Sequence, residues 1–451
     1  MLPVRKNGTY EAEITDLNAE GEGIGRVEGF TVFVPGALPG ERIRLLCLKV
    51  AKSYAIGKLQ AVLRPSPDRV EPPCPYAPRC GGCAFMCLSY PAQLRRKRQM
   101  VADALARIGG LREVRVEPVL GMADPFRYRN KAQYPAGPEG LGFYARRSHR
   151  VIPVANCLIQ HPLNDRVLAA VGEWMHAYRI PAYDETTGTG LLRHGMARVS
   201  FSRGEVLAVL VSAAPLPHRR ELVALLRERV PGLVGVVENR NDRRTNAILG
   251  RDNEVLWGKG TLTEELMGLT FQLSPHSFFQ VNPRQTEVLY GQALAYAGLT
   301  GGELVADAYC GTGTIALLMA RQAGQVIGLE SVPQAVADAR ENARRNGIAN
   351  ARFVEGPAET TLPELVAQGI RPDVVVTDPP RKGCGEPLLN ALLACAPRRI
   401  VYVSCNPATL ARDLARLAPR YRVEAVQPVD MFPFTGHVET VVLMSKVNPK
   451  K

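Results

Sequence analysis

No uncharged apolar run in this sequence is long enough to span a bilayer, and the first residues, MLPVRKNGTYEAEITD, hold no hydrophobic stretch of the kind a secretory signal needs. Membrane insertion and signal-directed export are therefore not expected, and a cytoplasmic location is. No internal repeat and no low-complexity tract is visible, which sets aside solenoids and compositionally biased linkers. A disulfide framework is not expected either. Ten cysteines in a chain without an export signal point instead to metal binding or catalysis. What remains is a globular composition, 46% hydrophobic and 22% charged, over 451 residues, too long for one ordinary core and suited to two or three domains.

Acidic side chains are the minority charge. Lys and Arg number 56 against 43 Asp and Glu, a formal net charge of +13. The basic residues gather at Arg95, Arg96, Lys97 and Arg98, at Arg127, Arg129 and Lys131, and at Arg146, Arg147 and Arg150. Such patches attract polyanions and release their counterions, so nucleic acid is an expected partner, although a merely solvated basic surface carries the same signature. Neither a membrane nor an obligate protein partner is expected.

Residues 8–63 alternate apolar and polar positions in short stretches, Tyr10-Ala12-Ile14 and Phe30-Val32-Val34 among them, broken by glycines and by PGALPGE. Five or so short strands in that span suggest a small barrel of the OB type. Arg42, Arg44, Lys49, Lys52 and Lys58, with Tyr54 among them, would suit a groove for an RNA strand. The proline-rich RPSPDRVEPPCPYAP sets a boundary near 66. After it, Leu94, Val101, Leu105 and Ile108 share a helical face that Gly109-Gly110 ends. Residues 125 to 260 mix helix and strand signals without a derivable topology. From about 300 the pattern becomes strand, turn, helix, repeated. ELVADAY, QVIGLE, ARFVEG, PDVVVTD and RRIVYVSC read as strands, as does HVETVVLMSKV, and Ser331 is expected to cap a helix with Pro333 in its first turn and Gly347 at its end. The expected fold is α/β: a doubly wound, Rossmann-like C-terminal domain over 261–451, an OB-like barrel over 1–66, and a mixed α+β part over 67–260.

In such a sheet, ligands gather at the carboxyl ends of the strands. The first strand ends at Asp307 and runs into AYCGTGT, where glycines let the backbone approach a ligand. The second ends at Glu330, placed to accept ribose hydroxyls. GTGTIA lacks the third glycine of the G-x-G-x-x-G fingerprint, so a cofactor without phosphates, such as S-adenosylmethionine, fits better than a nicotinamide dinucleotide; a plain strand-to-helix turn would look the same. The fourth strand ends in Asp378-Pro-Pro-Arg-Lys-Gly383. Proline stops it there and leaves the carboxylate at the sheet edge, facing the cofactor, a substrate base or both.

Cys310 and Cys395 read as core cysteines. Cys405 does not: RRIVYV is a buried strand and SCNP breaks it at once, leaving this thiol at the lip. Only the thiolate reacts, so a neighbour such as Lys382 or a helix N-terminus is expected to help form it. A thiolate that adds to carbon 6 of uracil turns carbon 5 into an electron-rich enolate carbon able to accept a methyl group. The proton left on carbon 5 must then be taken by a base. In His437-Val-Glu439 the two polar residues share a face if the segment is extended. Glu439 is the expected base and His437 its neighbour.

DPPRKG, VYVSCNPATL and VDMFPFTGHVE together resemble the motif series of bacterial 23S rRNA (uracil-5-)-methyltransferases, and the likeness extends over nearly the whole chain. The resemblance implies an S-adenosylmethionine-dependent RNA uridine 5-methyltransferase with an N-terminal TRAM domain. It implies Cys405 as nucleophile, Glu439 as general base, and cofactor contacts at Gln280 in SFFQVN, Tyr309, Glu330 and Asp378. Phe434 stands where the pattern leads to Gln, His or Tyr, so a local polar contact is expected to be missing there. The implied substrate is 23S rRNA, with a loop uridine of tRNA as the alternative. A cytosine 5-methyltransferase would set its thiol in a Pro-Cys or Thr-Cys context, which SCNP is not. An RNA-binding protein without catalysis would have no use for both Cys405 and Glu439.

Cys74, Cys80 and Cys83 follow C-x5-C-x2-C, with Gly81-Gly82 for a tight turn. By spacing alone, zinc with Cys87 as fourth ligand is as good a reading as an iron–sulfur cluster. The resemblance implies a 4Fe-4S cluster held by Cys74, Cys80, Cys83 and Cys157 in ANCLIQ. Uridine methylation needs no electron, so a structural or RNA-shaping role is expected.

Overall fold

The computed structural model describes residues 2–146, 148–244 and 247–447. It divides into two compact units, one of Met1–Lys97 with Ala145–Arg147 and Phe432–His437, the other of Arg98–Tyr144, Ser148–Met431 and Val438–Lys451. Among the described residues no helix is long and apolar enough to cross a membrane.

In the first unit, β1 (Thr9–Leu17), β2 (Glu22–Val27), β3 (Phe30–Pro35), β4 (Arg42–Val50) and β5 (Tyr54–Arg64) close into a barrel in the order β1-β2-β3-β5-β4, as the alternation of apolar residues predicts. Ala12, Ile14, Val32, Val34, Ile43 and Leu45 fill its interior. Buried Glu41 accepts the amides of Leu38 at 2.8 Å and Ser66 at 3.3 Å and is ion-paired with Arg69, which ties the start of the proline-rich segment to the barrel. Removing Arg69 would strand a buried carboxylate, a loss of roughly 3–5 kcal/mol.

The basic run in α1 (Tyr90–Arg107) is not the open patch that its sequence suggests. Arg95 pairs with Asp68 and Arg96 with Asp16, Lys97 is buried and donates to the Phe432 carbonyl, and Arg98 donates to the Val116 carbonyl. Arg42 and Arg44 of the barrel likewise share Glu11. These partners are distant in sequence, so local charge density overstates what is left for a polyanion. Lys49, Lys52 and Lys58 remain exposed.

The second unit carries two seven-stranded sheets. One is built from β6 (Lys131–Gly137), β7 (Gly140–Tyr144), β8 (Val151–Pro153), β9 (Leu192–Val199), β10 (Val206–Ser212), β11 (Leu233–Arg240) and β12 (Asp252–Gly258), in the order β12-β11-β10-β9-β6-β7-β8. Helices α2 (Pro162–Ala177) and α3 (Arg219–Arg229) pack against it and each other. This topology was beyond the sequence because every pairing but one is antiparallel between strands whose apolar runs look alike. A short hairpin, β13 (Leu262–Leu266) and β14 (Leu269–Leu273), follows.

The other sheet comes after α4 (Pro283–Ala297). It alternates β15 (Leu304–Ala308), α5 (Thr314–Ala320), β16 (Gln325–Glu330), α6 (Pro333–Arg345), β17 (Ala351–Glu355), α7 (Ala358–Ala367), β18 (Val374–Thr377), α8 (Glu386–Cys395), β19 (Arg399–Ser404), α9 (Pro407–Leu417), β20 (Tyr421–Val429) and β21 (Glu439–Lys446). The order is β17-β16-β15-β18-β19-β21-β20, parallel through β19, with β21 inserted antiparallel between β19 and β20. Helices α7, α8 and α9 cover one face, where Leu362, Leu388, Leu392 and Leu410 meet Ala306, Ile327, Val375, Ile400 and Tyr402. This is the doubly wound sheet expected from the strand–turn–helix repeat.

Candidate active site

Between β15 and β18 the strand order reverses, and the carboxyl ends of strands at such a switch point are where an open α/β sheet forms its ligand crevice. Tyr309, just past β15, holds a φ of 65° and donates its hydroxyl to Glu359 at 2.8 Å. Gly313 has φ 84°, and a Cβ there would meet Phe353 and Ala339 at 3.0 and 3.1 Å, so α5 can begin where it does only from glycine. Glu330 closes β16 and accepts the Gly311 amide at 3.0 Å with one carboxylate oxygen and the Val332 amide at 2.8 Å with the other. The expected Ser331 cap is therefore absent. Val332 is the cap residue of α6, and Glu330, a stronger acceptor than a hydroxyl, takes its amide.

Beneath this turn Asp307 is fully buried, and neither carboxylate oxygen has a hydrogen-bond partner of good geometry. Burial first, then the charges of Asp378 and Glu330, hold its carboxyl well above the usual range, and the Ala316 amide offsets only part of this. The buried Thr312 hydroxyl is also without a partner. Orphaned polar groups under a glycine turn are what a polar, nucleoside-like ligand would satisfy. Buried Gln280 offers its backbone carbonyl to Asn130 at 3.2 Å, and its side chain bonds the phenol of Tyr290 in α4. Tyr290 faces Asp378, Asp307 and Glu439. Sequence reasoning missed it, because a tyrosine on the apolar side of a helix reads as core.

On the other flank, the β19–β21 register pairs Ser404 with Thr440, and Cys405, next along the chain, feels the charge of Glu439. The Asp378–Gly383 loop is tied to the same place. Asn406 caps α9 by accepting the Ala408 amide at 3.0 Å and donates to the Arg381 carbonyl at 3.1 Å; the Thr409 hydroxyl donates to that carbonyl at 3.2 Å. Buried Asp413 accepts the Cys384 amide at 2.8 Å and the Tyr402 phenol at 2.6 Å. A Cβ on Gly383, whose φ is 78°, would lie 2.6 Å from Arg412 and Asp413 atoms.

Burial, Glu439 and Asp378 push the Cys405 thiol up to about 11, while Arg381 pulls the other way. Arg381 thus takes the part expected of Lys382; the two are the central residues of a turn that the Gly383 amide closes by donating to the Pro380 carbonyl at 2.8 Å. Glu439 is itself raised, by burial and then by Asp378, with Arg381 opposing, and burial raises Asp378. Two buried carboxyls beside a thiol favour a protonated resting site. His437 is exposed while Glu439 is buried, because β21 starts only at Glu439; the two do not share a face. Buried Cys310 and Cys395 are held protonated mainly by burial, as core thiols are.

Cys74, Cys80 and Cys83 lie half-buried in the first unit and Cys157 is buried in the second. Cys80 feels the charge of Cys74, and its sulfur accepts the Gly82 amide at 3.4 Å. Cys87 packs with Leu17, Leu38 and Phe85 and faces Arg69. Among the described residues no three His, Cys, Asp or Glu side chains are gathered closely enough for a single metal ion. Phe434 is buried with φ 66°, and the polar contact there is made by its backbone, whose N–H donates to Gln93 at 2.8 Å.

A glycine turn over unsatisfied buried polar groups at the switch point of a doubly wound sheet, with a thiol nearby, fits the architecture of a methyl-transferring enzyme. Residues 253–447 match the family described as tRNA (Uracil-5-)-methyltransferase, and residues 3–59 match the TRAM domain. An uncharacterized RNA methyltransferase of Clostridium tetani is 48% identical over 456 residues, covering 100% of this chain and 99% of the relative, and one of Halalkalibacterium halodurans is 48% identical with 99% of each covered. The crystal structure of the Pyrococcus abyssi tRNA (uracil-54, C5)-methyltransferase in complex with S-adenosyl-L-homocysteine superposes with a TM-score of 0.78 at 26% identity, covering 96% of this chain and 100% of that one. The chain belongs to the RNA (uracil-5-)-methyltransferase family, with a TRAM domain at its N-terminus.

Proposed function

We propose that this S-adenosylmethionine-dependent enzyme methylates carbon 5 of one uridine in 23S rRNA, with Cys405 as covalent nucleophile and Glu439 as general base. The observation that supports this reading is the charge of Glu439 acting on the Cys405 thiol, the two residues following directly on the Ser404–Thr440 pair of the β19–β21 ladder. The Cys405 thiolate forms a bond to carbon 6, and the electron pair moves to an enolate whose carbon 5 takes up the methyl group. Glu439 then removes the carbon 5 proton, the carbon 6–sulfur bond breaks, and the thiolate leaves. Arg381 favours the charged forms of both groups. Gln280, Tyr309, Glu330 and Asp378 would hold S-adenosylmethionine, which supplies an electrophilic methyl group on a sulfonium. The orphaned oxygens of Asp307 and Thr312 fit such a ligand.

The target base must be unpaired or flipped out, because a duplex hides its faces. Phe278, 68% exposed and two residues before Gln280, is suited to stack on a base. The TRAM barrel (1–66), the central part (67–260) and the catalytic part (261–451) serve respectively to hold flanking RNA, to shape it and to methylate it. The resemblance supports a 4Fe-4S cluster on Cys74, Cys80, Cys83 and Cys157. A loop uridine of tRNA is the second reading, favoured by the tRNA substrate named for the Pyrococcus enzyme. Labelled methyl transfer to 23S rRNA and tRNA transcripts decides between them, and label in tRNA alone would overturn the ribosomal assignment.

A further inference from the structure

The central sheet carries a cationic pair for which the chemistry above has no use. Lys131 in β6 and Arg198 in β9 are direct partners across an antiparallel ladder, so their side chains leave the same face. Arg198 is 2% exposed. Its Nη2 donates to the Ser277 carbonyl at 2.7 Å, but Nε and Nη1 have no hydrogen-bond partner. Lys131 is half-buried, and the charges it feels are those of Arg198 and Arg129, all of its own sign. Several other buried charges in the protein are matched, Glu41 with Arg69, Asp413 with Arg412 and Arg193 with Glu185, whereas the unmatched carboxyls Asp307, Asp378 and Glu439 belong to the site described above. Arg127, from the same basic cluster, is matched too, by Asp165 and the Cys157 carbonyl.

Burying like charges without a counter-charge is costly, and the cost falls when an anion arrives. The place of the pair says which anion. Asn130, next to Lys131, donates its backbone N–H to the Val281 carbonyl at 2.8 Å and accepts the amide of Val199, next to Arg198, at 2.7 Å. Its side chain holds the Gln280 carbonyl. The pair therefore borders the segment that carries Gln280, whose side chain reaches Tyr290 beside Asp378 and Glu439. An RNA strand delivering a base to that crevice brings one phosphodiester per nucleotide with it.

We propose that Lys131 and Arg198 form a receptor for a single RNA phosphodiester beside the uridine being methylated, an assignment that rests on the RNA-substrate reading above. Lys131, the more exposed of the two, makes the direct contact, and Arg198 adds charge behind it. The site positions the strand and reads no base.

The test measures binding of 23S rRNA and tRNA transcripts to the full-length enzyme over a series of salt concentrations, with S-adenosylmethionine binding measured in parallel. Lys131→Gln is expected to weaken binding of the better transcript about tenfold and to reduce the slope of log Kd against log salt by about one, while Lys131→Arg restores both. Cofactor affinity stays unchanged. An unaltered RNA affinity and salt slope in Lys131→Gln overturns the proposal. So does a selective loss of S-adenosylmethionine affinity, which would assign the pair to the cofactor's carboxylate. If the unsubstituted enzyme binds neither transcript, the RNA-substrate reading fails first and takes the receptor with it.

Discussion

The carboxyl of Glu439 acts on the thiol of Cys405, just past the Ser404–Thr440 pair of the β19–β21 ladder, and strengthens that thiol's hold on its proton. Addition at carbon 6 and proton removal at carbon 5 occur on adjacent ring atoms, so the groups that perform them must be neighbours. Their proximity has a cost at rest, because a charged carboxylate opposes a thiolate. Arg381 offsets part of it.

Replacing Cys405 with Ala removes the nucleophile and little else from a half-buried position. Methyl transfer is expected to fall by on the order of 10⁴-fold or more, with RNA binding retained in a gel-shift assay. Turnover at the ordinary rate would refute the covalent route.

Glu439→Gln keeps the shape and removes the base. The step after methyl transfer is expected to slow by about 10²–10⁴-fold, so an RNA–protein adduct accumulates and survives denaturing electrophoresis. Normal turnover with no such band would exclude Glu439 from the mechanism.

With its thiol pushed up to about 11, Cys405 exposes only a trace of thiolate at neutral pH, and that fraction grows about tenfold per pH unit up to that value. Alkylation by iodoacetamide, followed on the Cys405 peptide by mass spectrometry, is expected to rise throughout pH 7 to 10. Arg381→Met should slow it at fixed pH and Glu439→Gln should speed it. Equal rates in all three proteins would mean that neither charge acts on the thiol.

Asp307 is a raised carboxyl, above the ~3.9 of an unfolded Asp. The folded state holds this proton more tightly, so stability is lost as pH rises from about 4 through the folded value. Asp307→Asn should therefore stabilise the cofactor-free protein by about 1–3 kcal/mol at pH 8, less at pH 5, and weaken S-adenosylmethionine binding. Thermal unfolding at both values checks it; a variant no more stable at pH 8 than the parent contradicts the account.

Cys83→Ser should cut the iron and inorganic sulfide recovered after anaerobic purification. Zinc in the unsubstituted protein, with no iron, would replace the cluster by a single-metal site.

The doubly wound sheet and the barrel were legible because their signals are local: period-two alternation in 8–63, and apolar runs ending in glycine or proline after 300. Cys405 stood out for a similar reason, since a buried strand breaks at that residue. Four features were misread. The run at 95–98 looked open, Ser331 looked like a cap, Lys382 looked like the thiol's cation, and His437 looked as though it shared a face with Glu439.

The sequence by itself determined which segments form strands and helices and which side chains carry reactive chemistry, because these follow from the covalent order of neighbouring residues. Only the tertiary structure decided that Asp16 and Asp68 neutralise part of the basic run, that Tyr290 joins the site, and that Lys131 and Arg198 stand together without a carboxylate. Those facts depend on strand register and on contacts between residues far apart in the chain, and a charge's energy is set by what surrounds it in space.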